Sequence, residues 1–202
     1  MLVLAFLISS CNLGAEDVNE GMFYYSKGNY AKAKKHLLKA NERSLGYYSE
    51  KEYYTILGNT YCQLNKLDSA KIFHRKALNI DPSYSEALVN LGVAHRKSGD
   101  FANALKCYTK ANKINPDDAQ LHTSLGSLYI HMDKAGLASK HLKKAINLDQ
   151  DLVLAHSNYA LALAHLGKFE KAAQELKLAE SMGYQNGHKI RQKIDALTSK
   201  VN

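Results

Sequence analysis

The chain has 202 residues, of which 46% are hydrophobic and 23% charged, and its formal net charge is +8. This composition rules out a low-complexity chain and provides enough apolar residues for one substantial core. The positive charge permits nucleic-acid binding, but the lysines are scattered along the whole chain, so we expect them to form a solvated outer surface.

The N-terminal segment carries the features of an export signal. An uninterrupted apolar run, Leu2–Ile8, precedes two serines and Cys11. The run is too short to span a bilayer, and small residues after such a run are typical of a processing site. This junction resembles the bacterial lipobox, whose cysteine becomes the lipidated first residue of the mature protein. We therefore expect 1–10 to be a lipoprotein signal segment, Cys11 to carry lipid, and 11–13 to be a short tether.

Two other interpretations of this segment stay open, because no Lys or Arg precedes the apolar run as it does in most export signals. A misplaced start codon or a short apolar helical segment would also account for it. The lipoprotein interpretation predicts a protein anchored in the bacterial cell envelope and facing the periplasm. The alternatives predict a cytoplasmic protein.

After this segment the sequence repeats itself with a fixed period. The period is carried by Ala70, Ala104, Ala138 and Ala172, by Ala77, Ala111, Ala145 and Ala179, by the Leu-Gly pairs at 57–58, 91–92 and 125–126, and by Pro82 and Pro116. A constant period of this length indicates a stack of similar supersecondary units, each of which needs its neighbours to bury its apolar face.

One period contains a helix, a turn and a second helix. Apolar residues recur at steps of three and four over Ser85–Lys97, which predicts a helix, and the turn-forming residues 98–100 follow it. The asparagine before Pro116 ends the second helix, because the residue before a proline is disfavoured in the helical conformation. The second helix is expected to bury Phe101, Ala104, Leu105, Tyr108, Ala111 and Ile114.

These residues resemble the tetratricopeptide repeat. In 51–84 the resemblance is carried by Tyr54, Leu57, Gly58, Tyr61, Ala70, Ala77 and Pro82. The repeats are assigned to about 14–47, 51–84, 85–118, 119–152 and 153–186. The resemblance implies an all-α fold, an α-solenoid of about five helix-turn-helix repeats.

The two ends of the array depart from the pattern. Glu20 occupies a leucine place in the first repeat, whose first helix is therefore expected to be looser, and Tyr48–Glu50 is an insertion before the second repeat. The segment 187–202 contains a further helix with an apolar stripe at Ile190, Ile194 and Leu197. A helix that caps the last repeat is expected, and a separate basic binding helix is the alternative.

The resemblance implies a protein–protein interaction scaffold, because first helices of such arrays line a groove that binds a peptide or a helix. The residues expected to bind the partner are Asn59, Gln63, Asn90, Lys97, His131 and His165. The last three are cationic or become so on protonation, which favours an acidic partner. Asn59 and Asn90 match the two asparagines of the chaperone-type carboxylate clamp. Its basic places hold Thr55, Gln120 and Ser124, which disfavours a co-chaperone.

We expect no catalytic residues, no metal and no cofactor, because the chain contains neither a nucleophile motif nor a phosphate-binding glycine loop. His131 with His165, and His122 with His156, are spaced by one period. A metal would need further ligands, and no carboxylate shares the register of either pair, so packing or hydrogen-bonding imidazoles are expected. A soluble cytoplasmic adaptor is the main alternative function, and a nucleic-acid or metal binder is a more distant one.

Overall fold

The computed structural model describes residues 15–40 and 45–199, and every regular element in these ranges is an α-helix. The predicted signal segment, the tether and Cys11 lie outside the described residues. The helices are α1 (15–26), α2 (Tyr30–Leu37), α3 (Glu50–Gln63), α4 (Leu67–Ile80), α5 (Ser85–Lys97), α6 (Phe101–Ile114), α7 (Ala119–His131), α8 (Ala135–Leu148), α9 (Val153–His165), α10 (Phe169–Ser181) and α11 (Gly187–Thr198). The all-α array of helix pairs is confirmed, and α5 has the predicted bounds.

The chain divides into two compact units, unit 1 (Met1–Cys107) and unit 2 (Tyr108–Asn202), and each is described by itself. In unit 1, α3 packs against α2, α4 and α5. In unit 2, α9 packs against α7, α8, α10 and α11. Within the described ranges, each helix is too short or too polar to cross a membrane.

The turn inside each helix pair contains one residue in the left-handed conformation. These residues are Gly28 (φ 72°), Asn65 (φ 57°), Gly99 (φ 79°), Asp133 (φ 55°) and Gly167 (φ 71°). The last four follow one another at the period of the repeat, and the insertion at Tyr48–Glu50 lengthens the first step. Glycine adopts positive φ at no steric cost, and Asn and Asp tolerate it better than other residues. The turn conformation is therefore periodic even where the residue changes.

The two helices of a pair meet where a glycine of the first helix faces a large side chain of the second. The pairs are Gly21 with Leu37, Gly58 with His74, and Gly126 with Leu142. A Cβ atom at Gly21 would lie 2.6 Å from Leu37 Cγ, and a Cβ at either of the other glycines would overlap the facing side chain. Two of the Leu-Gly pairs of the sequence, at 57–58 and 125–126, thus mark a close approach of the two helices.

The insertion before the second repeat supplies the start of α3. The Ser49 side chain accepts a hydrogen bond from the backbone N–H of Glu52, whose carboxylate in turn accepts one from the backbone N–H of Ser49. This capping box satisfies backbone donors that a helix N-terminus leaves unpaired. The Tyr53 hydroxyl then donates to the carbonyl oxygen of Leu37, 2.8 Å away, which ties α3 to the end of α2.

The first repeat contributes to the unit 1 core through Val18 and Gly21 and not through residue 20. Val18 is fully buried in a cluster with Leu37, Tyr54 and Leu57. The Glu20 side chain is 59% exposed, and its carboxylate lies 2.6 Å from His36 Nδ1. The residue that departs from the repeat pattern therefore points its charge at a histidine outside the core.

The predicted cap on the last repeat is confirmed. Ile190 and Ile194 of α11 are buried in one cluster with Ala160 and Leu176, and Leu197 packs against that cluster. This contact covers α9 and α10, the last helix pair of the array.

The prediction that Ile114 belongs to the buried stripe of α6 is wrong. Ile114 is 43% exposed, and Ile80 and Leu148, one period away on either side, are 47% and 40% exposed. All three are the last residues of their helices, where the chain leaves the helix and the side chain is more exposed. Of the described cysteines, Cys62 is buried and Cys107 is half-buried.

His74 occupies a leucine place, and replacing it should stabilise the chain. The side chain is fully buried and neither ring nitrogen has a hydrogen-bond partner among the described residues, whereas Leu142 and Leu176 hold the same register place. We expect His74→Leu to raise the free energy of unfolding by about 1–2 kcal/mol, because an unpaired buried polar group is removed. The matched change Leu142→His should lower it by about 1–3 kcal/mol. Urea unfolding at pH 7.5 measures both, and a destabilising His74→Leu would contradict this account of the site.

Acid should weaken the fold through two histidines. Burial lowers the pKa of His74 to about 4, and burial together with the adjacent His122 lowers the pKa of His141 to about 4. An unfolded histidine titrates near 6.5, so the unfolded chain binds more protons between about pH 6.5 and 4. We expect stability to be full above about pH 6.5 and to fall as the pH is lowered towards 4. Urea midpoints at pH 7.5, 5.5 and 4.5 measure this slope, which His74→Leu should make shallower. An unchanged slope in that variant would exclude His74 as a source.

Candidate functional site

Four of the six predicted binding residues line one cavity in unit 1. This α3–α5 pocket has a volume of about 140 Å³. Its lining residues are Tyr25, Asn59, Cys62, Gln63, Asn90, Val93 and Lys97. Asn59, Gln63, Asn90 and Lys97 were expected from the sequence, and the other three were not.

Helix geometry explains why these residues meet. Asn59 and Gln63 are one turn apart on α3, while Asn90, Val93 and Lys97 follow each other at steps of three and four on α5. Residues at these spacings share one helix face. Since α3 and α5 contact each other, their faces combine into one polar surface.

The pocket offers several hydrogen-bonding groups and one positive charge. Asn59 and Asn90 are half-buried, and each amide can donate and accept hydrogen bonds at once, as an extended peptide backbone requires. The Tyr25 hydroxyl hydrogen-bonds Gln63, and burial raises the pKa of that hydroxyl. Lys97 is exposed. The chemistry suits a peptide with a carboxylate near Lys97.

Tyr25 was missed because it does not lie at one of the register places expected for the groove. It lies near the end of α1 in the weakest repeat, where a register count does not place it among the groove residues. Cys62 is 8% exposed and contributes to the pocket wall. Sequence spacing finds the polar floor of the pocket but not its aromatic side.

His131 lies in unit 2, beside a second cavity of about 330 Å³. We call this cavity the α11 pocket, and its polar lining consists of Ser127, His131, Asn158, Tyr184, Asn186, Lys189 and Lys193. His131 Nδ1 lies 2.8 Å from the carbonyl oxygen of Ser127. His165 is exposed at the end of α9 and does not line this pocket. The expectation that Lys97, His131 and His165 together favour an acidic partner stays a prediction.

His122 and His156 are hydrogen-bonding imidazoles, as expected. His122 Nε2 lies 2.9 Å from the Pro116 carbonyl oxygen and its Nδ1 lies 2.9 Å from His141 Nδ1. His156 Nε2 lies 3.0 Å from the Gln150 carbonyl oxygen, and its Nδ1 lies 2.7 Å from a Glu175 carboxylate oxygen.

No carboxylate shares the register of these histidines on the first helices, but Glu175 of the second helix α10 contacts His156. Its partner Glu175 and the partner of His122, His141, are themselves one period apart, which a search of the second helices would have found. Both ring nitrogens of His156 face acceptor oxygens. Burial lowers the pKa of His122 and of His141, so that pair is neutral at pH 7.

A further group of possible metal ligands lies on α1 and α2. Asp17, Glu20 and His36 each place one possible ligand atom within 4.8 Å of the others. Direct contacts between the His36 imidazole and the two carboxylates account for the same geometry, with Nδ1 to oxygen distances of 3.5 Å and 2.6 Å. The cluster therefore does not by itself indicate a metal.

Known proteins share both the repeat and the fold. The chain is 32% identical over 97 residues to the anaphase-promoting complex subunit CDC16 of Saccharomyces cerevisiae, a match that covers 45% of this chain and 12% of that protein. It is 32% identical over 111 residues to the protein CTR9 homolog of Arabidopsis thaliana, covering 54% of this chain and 10% of that protein. The chain thus spans about a tenth of the length of these curated relatives.

Among solved structures, TTC0263, a thermophilic TPR protein in Thermus thermophilus, superposes with a TM-score of 0.75 at 20% identity. The match covers 91% of this chain and 98% of that one. This likeness shows the fold. Family models described as tetratricopeptide repeat match residues 18–46, 51–84, 85–118 and 119–152. Repeats of this type are typical of non-enzymatic scaffolds that bind other proteins. The chain belongs to the tetratricopeptide repeat family.

Proposed function

We propose that this chain is a scaffold that binds a peptide or helix of a partner protein in the α3–α5 pocket and has no catalytic role. The observation that carries the proposal is the convergence of Asn59, Gln63, Asn90 and Lys97, from two separate helices, on one cavity. Half-buried amides facing a cavity favour a ligand that both donates and accepts hydrogen bonds, as a peptide backbone does. Lys97 favours an acidic side chain at one end of that peptide.

We further propose that the scaffold is a bacterial lipoprotein that takes part in assembling an envelope complex, anchored through Cys11 and facing the periplasm. The support is the sequence of residues 2–11, in which an apolar run leads into small residues and a cysteine. A soluble cytoplasmic adaptor is the alternative, and the two differ in whether residues 1–10 are removed. Nucleic-acid binding is less favoured, because several lysines are paired with carboxylates, such as Lys51 with Asp81 at 2.7 Å.

The pocket can be tested with the partner recovered by crosslinking and pull-down from native membranes. We expect Asn59→Ala with Asn90→Ala to weaken partner binding by about tenfold or more, because each lost amide hydrogen bond contributes roughly 0.5–1.5 kcal/mol. Titration calorimetry with the purified partner measures this change.

The matched control is Asn19→Ala with Asn79→Ala, two exposed asparagines outside the pocket. The control should bind like the unchanged chain, and circular dichroism should show equal helicity for all variants. Equal binding by the pocket variant and the control would place the partner elsewhere and overturn the proposal.

The anchor can be tested on the protein expressed in bacteria. We expect the native chain to partition into detergent and to lose residues 1–10, whereas Cys11→Ser should stay in the aqueous phase, since buried acyl chains supply the membrane affinity. Detergent phase separation and the intact mass of the protein measure both properties. A native mass that retains Met1 to Ser10 would contradict the lipoprotein assignment and support the cytoplasmic adaptor.

A further inference from the structure

We propose that the α11 pocket of unit 2 is a second binding site, which takes a partner segment carrying an Asp or Glu side chain next to an apolar one. The inference rests on the proposed scaffold function, but it concerns different helices from the α3–α5 pocket. In this proposal α11 has two roles: it caps the last repeat, and it supplies the charged wall of the α11 pocket.

The packing of α11 fixes the positions of two lysines. Ile190 and Ile194 are 7% and 6% exposed and hold α11 against α9 and α10. Lys189 and Lys193 each precede one of these isoleucines, so they lie one turn apart along one edge of the buried stripe. Both line the pocket. The contact that caps the array therefore also places two ammonium groups at one cavity.

These two lysines differ from the other basic residue on the same part of α11. Arg191 makes two hydrogen bonds, of 2.8 and 2.9 Å, to the carboxylate of Glu180. In the part of the chain that the structure describes, neither Lys189 nor Lys193 has a carboxylate within 4.0 Å. The neighbouring acid of α11, Asp195, does not line the pocket. The lining is thus basic and lacks an internal counter-charge among the described residues.

The pocket also has apolar walls, which narrows the class of ligand. Ile130, Leu161 and Ile190 line it together with the ring of Tyr184. Its volume of about 330 Å³ is near the lower end of ligand sites, which are roughly 300–1,000 Å³. A cavity of this size holds one or two side chains and not a whole folded partner. An apolar side chain can fill it while an adjacent carboxylate pairs with the lysines.

The polar groups between these two parts suit a peptide backbone. Asn158 projects from α9, and Asn186 lies in the turn before α11. The backbone N–H of Tyr184 donates to the carbonyl oxygen of Ala179 at 3.0 Å, which holds that turn against the end of α10. Two amides beside apolar walls favour an acidic protein segment over a nucleic-acid strand, whose repeated phosphates call for a longer basic track.

The experiment selects random 12-residue peptides displayed on phage against the full chain and then measures selected synthetic peptides by fluorescence anisotropy. We expect enrichment of sequences in which Asp or Glu stands within two residues of Leu, Ile or Phe. The double variant K189E/K193E should bind these peptides at least tenfold more weakly. Raising NaCl from 50 to 500 mM should also weaken binding to the unchanged chain, because salt screens exposed charges.

The control K171E/K177E makes the same charge change at two exposed lysines of α10 and should leave peptide affinity unchanged. K189Q/K193Q should lose affinity to an intermediate degree, which separates lost attraction from new repulsion. Selected peptides without carboxylates, or equal loss of affinity in the α10 control, would overturn the inference.

The measurements can reject the α11 pocket without rejecting the scaffold function of the α3–α5 pocket. The α3–α5 variant with Asn59→Ala and Asn90→Ala should keep its affinity for the selected peptides, because those residues lie outside the α11 pocket. Loss of native-partner binding in that variant, together with no effect of K189E/K193E on any peptide, would leave the scaffold function standing and remove the second site.

Discussion

The close approach of the two helices in each pair is the constraint on which the other features depend. Gly21, Gly58 and Gly126 let a large side chain of the second helix lie directly on the backbone of the first. Added methylene groups at such a contact destabilise a packed core by roughly 1–3 kcal/mol, so the small residue and the large one must occur in register. The left-handed residue in each turn directs the second helix back along the first. In each unit, the polar faces of first helices are available for binding because these contacts occupy the opposite face.

Much of this could be predicted from the sequence, because the contact recurs with the period of the repeat. The bounds of α5, the turn at Gly99 and the packing of α11 through Ile190 and Ile194 follow from spacing alone. Ile114 shows the limit of such an argument. A periodic pattern gives the direction of a side chain around the helix axis, but burial also depends on whether a neighbour reaches that level along the axis. Ile114 is the last residue of α6, and its side chain is exposed there.

The candidate sites were predictable to a smaller degree. The amides of the α3–α5 pocket lie at register places of first helices, so counting located them. Tyr25 reaches the pocket from a repeat that keeps little of the pattern, and Lys189 and Lys193 belong to a helix outside the repeats. Residues outside the repeat have no register from which a position can be read. The ends of an array are thus where specific binding chemistry is hardest to foresee, and here they contribute to both pockets.

The histidines show how one residue type has different partners at equivalent places of the repeat. His122 and His156 stand one period apart and both contact a backbone carbonyl through Nε2. The second-helix residue facing Nδ1 differs, since it is His141 in one case and Glu175 in the other. Net charge therefore says little about where this chain is positive. The local partner of each basic group decides it, and Lys189 and Lys193 matter because the described residues supply them with no carboxylate partner.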